Sequence, residues 1–254
     1  MNQDLKGKHA IVTGGGAGIG LAVAEQLAEA GASVFIFDRD ADAIEAAVAS
    51  IRASGGIAAG AAGSVADNDD VERIFSMADT LGPIDILINN AGVTGNCPAF
   101  ELTPDIWNRI VSVNQTGTLF CALAAGKRMQ LAGAGVIINL SSIYGLVAAP
   151  NRVAYSATKA AVIMMTKALA VEWATHGIRV NCIAPGYVET PGTTELANAG
   201  TIDLVALRRR TPQQRLATPE DIANAVVTFC DDRLHHVTGQ VLAVDGGWSA
   251  YGYL

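Results

Sequence analysis

Short runs of apolar residues, mostly without interleaved polar ones, recur seven times along the chain and are separated by helix-length segments. HAIV precedes GIGLAVAEQLAEAG, SVFIF precedes ADAIEAAVASIRASG, and IAAGAA precedes DNDDVERIFSMADTLG. IDILI, a helical stretch from about Pro104 to Gln130, GVIINL, a helix over Tyr155 to Thr175, IRVNCIA, a helix from Pro219 to Asp231 and QVLAV complete the series. A strand with one face in water alternates apolar and polar residues, whereas a strand apolar throughout is covered on both sides. The pattern therefore predicts an α/β, doubly wound Rossmann-type fold: a seven-stranded parallel sheet with helices on both faces, forming one domain over residues 1–254. Ligands in such folds bind at the carboxyl ends of the strands. One segment breaks the rhythm, Thr190 to Gln214, rich in Thr, Pro and Gly and ending near Arg208, Arg209 and Arg210. It reads as a lid-like excursion.

Composition narrows the function classes. Half of the 254 residues are hydrophobic and the formal charge is -7, which offers no electrostatic footprint for a nucleic-acid backbone. The longest apolar run, Leu119 to Ala125, is far shorter than the roughly 18 residues of a membrane span. The start MNQDLKGKHAIVTGGG has no signal-peptide apolar region, so a cytoplasmic protein without membrane partners is expected. Cys97, Cys121, Cys182 and Cys230 form no CxxC pair and read as buried free thiols, suited to a reducing compartment. His9, His176, His235 and His236 show no metal-ligand spacing, and no catalytic metal is expected.

The first strand-to-helix turn reads TGGGAGIG, Thr13 to Gly20. Gly14, Gly16, Ala17 and Gly18 let the backbone approach a pyrophosphate, Ile19 stands at the helix N-terminus, where free N–H groups favour anions, and Gly20 permits close helix packing. The spacing departs from GxGxxG, and its form, TGxxxGIG, resembles the short-chain dehydrogenase/reductase family. The resemblance recurs in NNAG at Asn89 to Gly92, Asn114 within VNQTG, Ser142 within NLSSIYG, YSATK at Tyr155 to Lys159, PGYVET at Pro185 to Thr190, and DGGW at Asp245 to Trp248. It implies nicotinamide chemistry, a small-molecule alcohol or carbonyl substrate and a homotetramer, with the apolar tail Trp248 to Leu254 at a subunit contact.

Asp38 ends the second apolar run, where a carboxylate meets the adenosine ribose and repels a 2′-phosphate, so NAD is expected over NADP. The neighbouring Arg39 works against that preference. The resemblance places the adenine contact at Ser64 and Val65, where the family often has Asp-Val, and makes Asn90, Ala91 and Gly92 a cofactor-cradling turn. It further gives Pro185, Val188 and Thr190 to the nicotinamide end of the cofactor.

Tyr155 and Lys159 are four residues apart and share one helix face. Free tyrosine ionises near pH 10, about three units too high for a base at neutrality, and a neighbouring ammonium lowers that cost. By resemblance Lys159 also binds the nicotinamide ribose, Tyr155 exchanges a proton with the substrate oxygen, Ser142 hydrogen-bonds that oxygen, and Asn114 holds a water leading to Lys159. The expected enzyme is an alcohol dehydrogenase or carbonyl reductase. A regulatory dinucleotide sensor without turnover is the non-enzymatic alternative, although it needs no proton-transfer set.

Substrate residues fall in the least patterned segments: Thr94, Asn96, Tyr144 and Tyr187 offer hydroxyl and amide groups. They favour a sugar or polyol. Arg152, three residues before Tyr155, supports the alternative of a hydroxy acid, because the family's 3-hydroxybutyrate dehydrogenases carry a basic residue there. A 3-oxoacyl reductase-like activity and simple hydrophobic alcohols follow.

Overall fold

The computed structural model describes residues 5–252. Strands β1 (His9–Thr13), β2 (Ser33–Asp38), β3 (Ile57–Ala62), β4 (Ile86–Asn89), β5 (Gly135–Leu140), β6 (Ile178–Pro185) and β7 (Val241–Val244) form one parallel sheet in the order β3-β2-β1-β4-β5-β6-β7. Among the described residues nine α-helices accompany them: α1 (Gly18–Glu29), α2 (Ala41–Ala53), α3 (Asn68–Ala78), α4 (Pro104–Val111), α5 (Thr118–Ala132), α6 (Val153–Trp173), α7 (Pro191–Asn198), α8 (Leu204–Arg210) and α9 (Pro219–Cys230). Strand periodicity sends neighbouring residues to opposite faces. Val12, Ile36 and Ile88 pack under α1, α2 and α9, whereas Ile11, Phe37 and Leu87 pack under α3, α5 and α6. Both layers are apolar, which is why the strands carry no polar alternation.

The chain winds outward from β1 in both directions, since β1 pairs with β2 on one side and β4 on the other, with Val12 opposite Ile36 and Ile88. That reversal opens a crevice beyond the carboxyl ends of β1 and β4. Local chemistry fixes several helix starts: Asp40 accepts hydrogen bonds from Asp42 N and Ala43 N at the head of α2, and Thr218 and Asp221 form a reciprocal capping box on α9.

Three expectations need correction. The stretch expected to be helical from Pro104 to Gln130 is broken by a π-helical turn over Ser112–Gly117. There the fully buried Asn114 turns its amide onto the backbone of Val93, and the bulge lets it do so. The Thr190 to Gln214 excursion is not irregular; it contains α7 and α8, capped by Thr190 and Asp203. Cys121, Cys182 and Cys230 are buried as expected, but Cys97 is only half-buried, because it follows the exposed Asn96 on an edge of the site. Tyr253 and Leu254 of the tail lie outside the described residues. Among the described residues no helix is long and apolar enough to cross a membrane, and no group of three or more His, Cys, Asp or Glu side chains is placed to hold a metal ion.

Candidate active site

Two adjoining cavities occupy the crevice. One runs from Phe37, Asp38 and Arg39 past Gly14, Ala17, Gly18 and Ile19 to Ser64, Val65 and the Asn90–Val93 segment. The other shares Ile19, Asn90, Gly92, Val93 and Thr190 with it and continues to Ser142, Tyr144, Arg152, Tyr155, Lys159, Pro185, Tyr187 and Val188. Together they bring nearly all the sequence-predicted site residues to one cleft.

The first cavity is a backbone cradle. A Cβ on Gly20 would lie 2.0 Å from the Gly14 carbonyl oxygen and 2.5 Å from Asn90 Nδ2, so glycine alone lets the helix sit on the turn. Gly14 and Gly18 have φ of 63° and 55°. Asn90 Nδ2 donates to the carbonyls of Thr13 and Gly14 at 3.0 and 2.9 Å, while Thr13 Oγ1 accepts from Asn90 N and Ala91 N. The NNAG and TGGG turns are thus sewn together across β1 and β4. No side chain caps the start of α1 and its first turn holds no acidic residue, which leaves its first amides free to meet an anion. Gly16 does not line the cavity; its N–H donates to Asp38 Oδ2 at 2.9 Å. Asp38 Oδ1 accepts from Arg39 N at 2.7 Å, so the carboxylate is held at the end of β2 while Asp40 does the helix capping. Ser64 is exposed on the cavity and Val65 is buried behind it against Gly117. These features fit a dinucleotide.

The second cavity is built from side chains. Ser142 follows β5 and its Oγ accepts from Tyr144 N at 3.2 Å, which fixes a short turn over Ile143–Gly145. Ser141 Oγ donates to the Lys159 carbonyl at 2.8 Å and ties that turn to α6. Tyr155 is half-buried; burial raises its phenol above the ordinary range, while a hydrogen bond from Ser142 and the nearby charge of Arg152 pull it down. Lys159 is buried, its Nζ donates to the Leu140 carbonyl at 2.8 Å, and burial brings its ammonium down to about 8. The relief of Tyr155 expected from Lys159 therefore comes here from Ser142 and Arg152, with Nζ 5.8 Å from the tyrosine ring centroid.

Asn114 does not line either cavity. Its Oδ1 accepts from Val93 N at 2.7 Å, and its Nδ2 donates to the Val93 carbonyl and to Thr158 Oγ1. A Cβ on Gly92 would lie 3.4 Å from Asn114 Oδ1 and 3.6 Å from Lys159 Nζ, so glycine keeps the space between those two groups clear.

Of the substrate candidates, Thr94, Tyr144, Arg152 and Tyr187 line the cavity and Asn96 does not. Past Thr94 the chain leaves the rim, with Gly95 against Ile110 and Cys97 N bonded to the Asn151 carbonyl, and Asn96 points to solvent. The Tyr144 and Tyr187 hydroxyls are hydrogen-bonded to each other at 2.8 Å. The Arg152 guanidinium lies 5.4 Å from the Tyr144 ring centroid and 5.9 Å from that of Tyr155. Thr193 and Leu196 of α7, in the 190s segment that the sequence offers as a substrate candidate, and Ile202 on the link to α8, which it does not, close the far side.

A family model described as enoyl-(acyl carrier protein) reductase matches residues 14–249. The chain is 40% identical to a galactitol 2-dehydrogenase of Rhizobium johnstonii over 254 residues, covering 97% of each protein. It is 37% identical to 2-(S)-hydroxypropyl-CoM dehydrogenase 3 of Xanthobacter autotrophicus, covering 98% of this chain and 100% of that one. A crystal structure of a gluconate 5-dehydrogenase from Burkholderia cenocepacia in complex with NADP and tartrate superposes with a TM-score of 0.92 at 36% identity, covering 98% of both chains.

Proposed function

The chain belongs to the short-chain dehydrogenase/reductase family, and from that premise we propose that it is an NAD-dependent dehydrogenase of sugars or polyols. It is an oxidoreductase of secondary alcohols. The observation that carries the reading is the convergence of Ser142, Tyr155 and Lys159 on the wall where the dinucleotide cradle meets a cavity lined by paired tyrosine hydroxyls.

The Gly14–Ile19 turn, Asp38 and the Asn90–Gly92 turn would hold NAD, which would supply a hydride acceptor to the neighbouring cavity. Tyr155 passes its own phenol proton toward Lys159 and takes the hydroxyl proton as the carbonyl forms, and the two transfers reverse in the reduction direction. Ser142 donates to the same oxygen and orients it. Lys159, with an ammonium eased to about 8, sits where proton exchange near neutrality is cheap. Asn114 positions the Val93 segment and borders, with Lys159 Nζ, the space over Gly92, which supports a relay water there.

NAD is preferred because Asp38, held by Gly16 N and Arg39 N, puts a fixed negative charge where NADP carries its extra phosphate. The sugar or polyol reading rests on Tyr144 and Tyr187: burial keeps the Tyr144 phenol neutral, and of two mutually bonded hydroxyls one proton stays available to a substrate. A single fold unit over the chain and a cytoplasmic site suit the three buried thiols. A homotetramer accords with the exposed Leu123, Met164 and Val171 on α5 and α6, and light scattering on the purified protein measures it.

The test is oxidation of a panel of sugars, polyols, hydroxy acids and simple secondary alcohols with NAD and NADP. The reading expects polyols or sugars with NAD to give the highest kcat/KM; activity confined to other classes, or no NADH formed, overturns it. A hydroxy-acid substrate is the second reading, favoured by Arg152, whose guanidinium makes no hydrogen bond or ion pair among the described residues. Arg152→Ala should then raise KM for anionic substrates alone; unchanged constants on every acid remove that reading.

A further inference from the structure

The DGGW turn after β7 takes no part in the chemistry above, and Trp248 does not line the substrate cavity. It nevertheless ends a continuous series of ring contacts that begins inside that cavity. Tyr144 and Tyr187 meet edge to face, with centroids 6.1 Å apart at 88°. Tyr187 packs on Trp248 at 5.3 Å. Arg210, the last residue of α8, places its guanidinium 4.9 Å from the Trp248 ring and 4.9 Å from the Tyr251 ring, and its Nη2 donates to the Tyr251 carbonyl at 2.7 Å. No carboxylate pairs with Arg210 among the described residues, and its Nη1 is buried without a hydrogen-bond partner, so two aromatic faces hold the cation.

The turn is shaped for this placement. Asp245 accepts from Gly247 N and from Ser249 N and Oγ, and Gly246 and Gly247 have φ of 62° and 91°. A Cβ on Gly246 would come 2.8 Å from Thr211 Cγ2, and one on Gly186 would come 2.8 Å from Asp245 Cα. Glycines therefore bring the ends of α8, β6 and β7 into one cluster.

We infer that Trp248 and Arg210 are positioning residues for substrate specificity, bracing the Tyr187 ring so that its hydroxyl stays paired with Tyr144 and the two present a fixed polar wall to a hydroxylated substrate. The inference rests on the polyol reading. Arg210 also pins the end of α8, so the wall and the segment covering the cavity are set by one cation.

The test uses three four-carbon alcohols that differ in hydroxyl number, D-threitol, 2,3-butanediol and 2-butanol, with NAD. Trp248→Ala and Arg210→Ala should each lower kcat/KM for D-threitol relative to 2-butanol by about fivefold or more, with KM for NAD unchanged. Trp248→Phe and Arg210→Lys, which keep a ring and a cation, should restore most of the ratio. A fall in Tm with an unchanged ratio means that the cluster is only structural and overturns the inference. A crystal structure of Arg210→Ala gives a readout that needs no turnover: the Tyr144 and Tyr187 hydroxyls should part beyond hydrogen-bond reach, and an intact pair overturns the inference. Failure of the wild-type protein on all three alcohols counts instead against the polyol reading.

Discussion

The two halves of the cleft are made by different means. On the side of β1 to β3 the cavity wall is mostly backbone: Gly14 and Gly20 bring main chain to main chain, and Asn90 and Thr13 bind carbonyls and amides. On the side of β5 to β7 the wall is made of long side chains, Tyr144, Arg152, Tyr155 and Tyr187, which meet from separate segments. The difference teaches where tolerance lies. A backbone cradle has no freedom to lose a glycine, whereas a side-chain wall is retuned one residue at a time.

The sharpest way to break this contrast is Gly20→Ala. With 2.0 Å to the Gly14 oxygen, the added methyl must displace main chain. We expect a loss of about 3 kcal/mol in stability together with loss of NAD binding, measured by denaturant unfolding and NADH titration. A variant with wild-type stability and affinity would show that the cradle yields more easily than its geometry implies.

A second prediction concerns Lys159, whose buried ammonium titrates near 8 in the folded protein against about 10.4 in an unfolded chain. Below 8 both states are protonated and the folded state bears the full cost of the buried charge; between 8 and 10.4 only the unfolded state holds the extra proton, so stability rises with pH. Lys159→Met removes the charge. It should gain about 2 kcal/mol at pH 7, after losing the bond to Leu140, with no comparable gain at pH 10 and with turnover abolished. Equal effects at both pH values in unfolding experiments would contradict this.

Asp38→Ser carries the smallest of these effects. Removing the charge should narrow the NAD to NADP ratio of kcat/KM by about tenfold, worth about 1.4 kcal/mol. An unchanged ratio would mean that Arg39, not Asp38, governs the choice.

The same contrast explains what was legible in the sequence. Apolar strands and glycine turns are local patterns, and the seven-stranded parallel sheet and the cradle followed from them. The π-helical turn at Ser112–Gly117 was not visible, because what holds it is the contact of Asn114 with Val93, distant in sequence. Helix α7 was hidden by its Thr, Pro and Gly residues, although Thr190 with Pro191 is itself a helix-start signal, and α8, at seven residues, is too short to show a helical period. The YSATK spacing located Tyr155 and Lys159, yet the relief on Tyr155 comes first from the Ser142 hydrogen bond and then from Arg152, groups that tertiary placement brings to it. The series from Tyr144 to Arg210 draws on four segments, and no local pattern announces it.

The most direct test of the proposed chemistry is Tyr155→Phe, assayed for kcat on the best alcohol of the panel while NADH binding is titrated in parallel. The variant keeps the ring and loses only the hydroxyl. The account predicts NADH affinity close to wild type with kcat below about a tenth of it, a loss above roughly 1.4 kcal/mol. A variant that binds NADH and retains more than that fraction of kcat would place the proton transfer on another group.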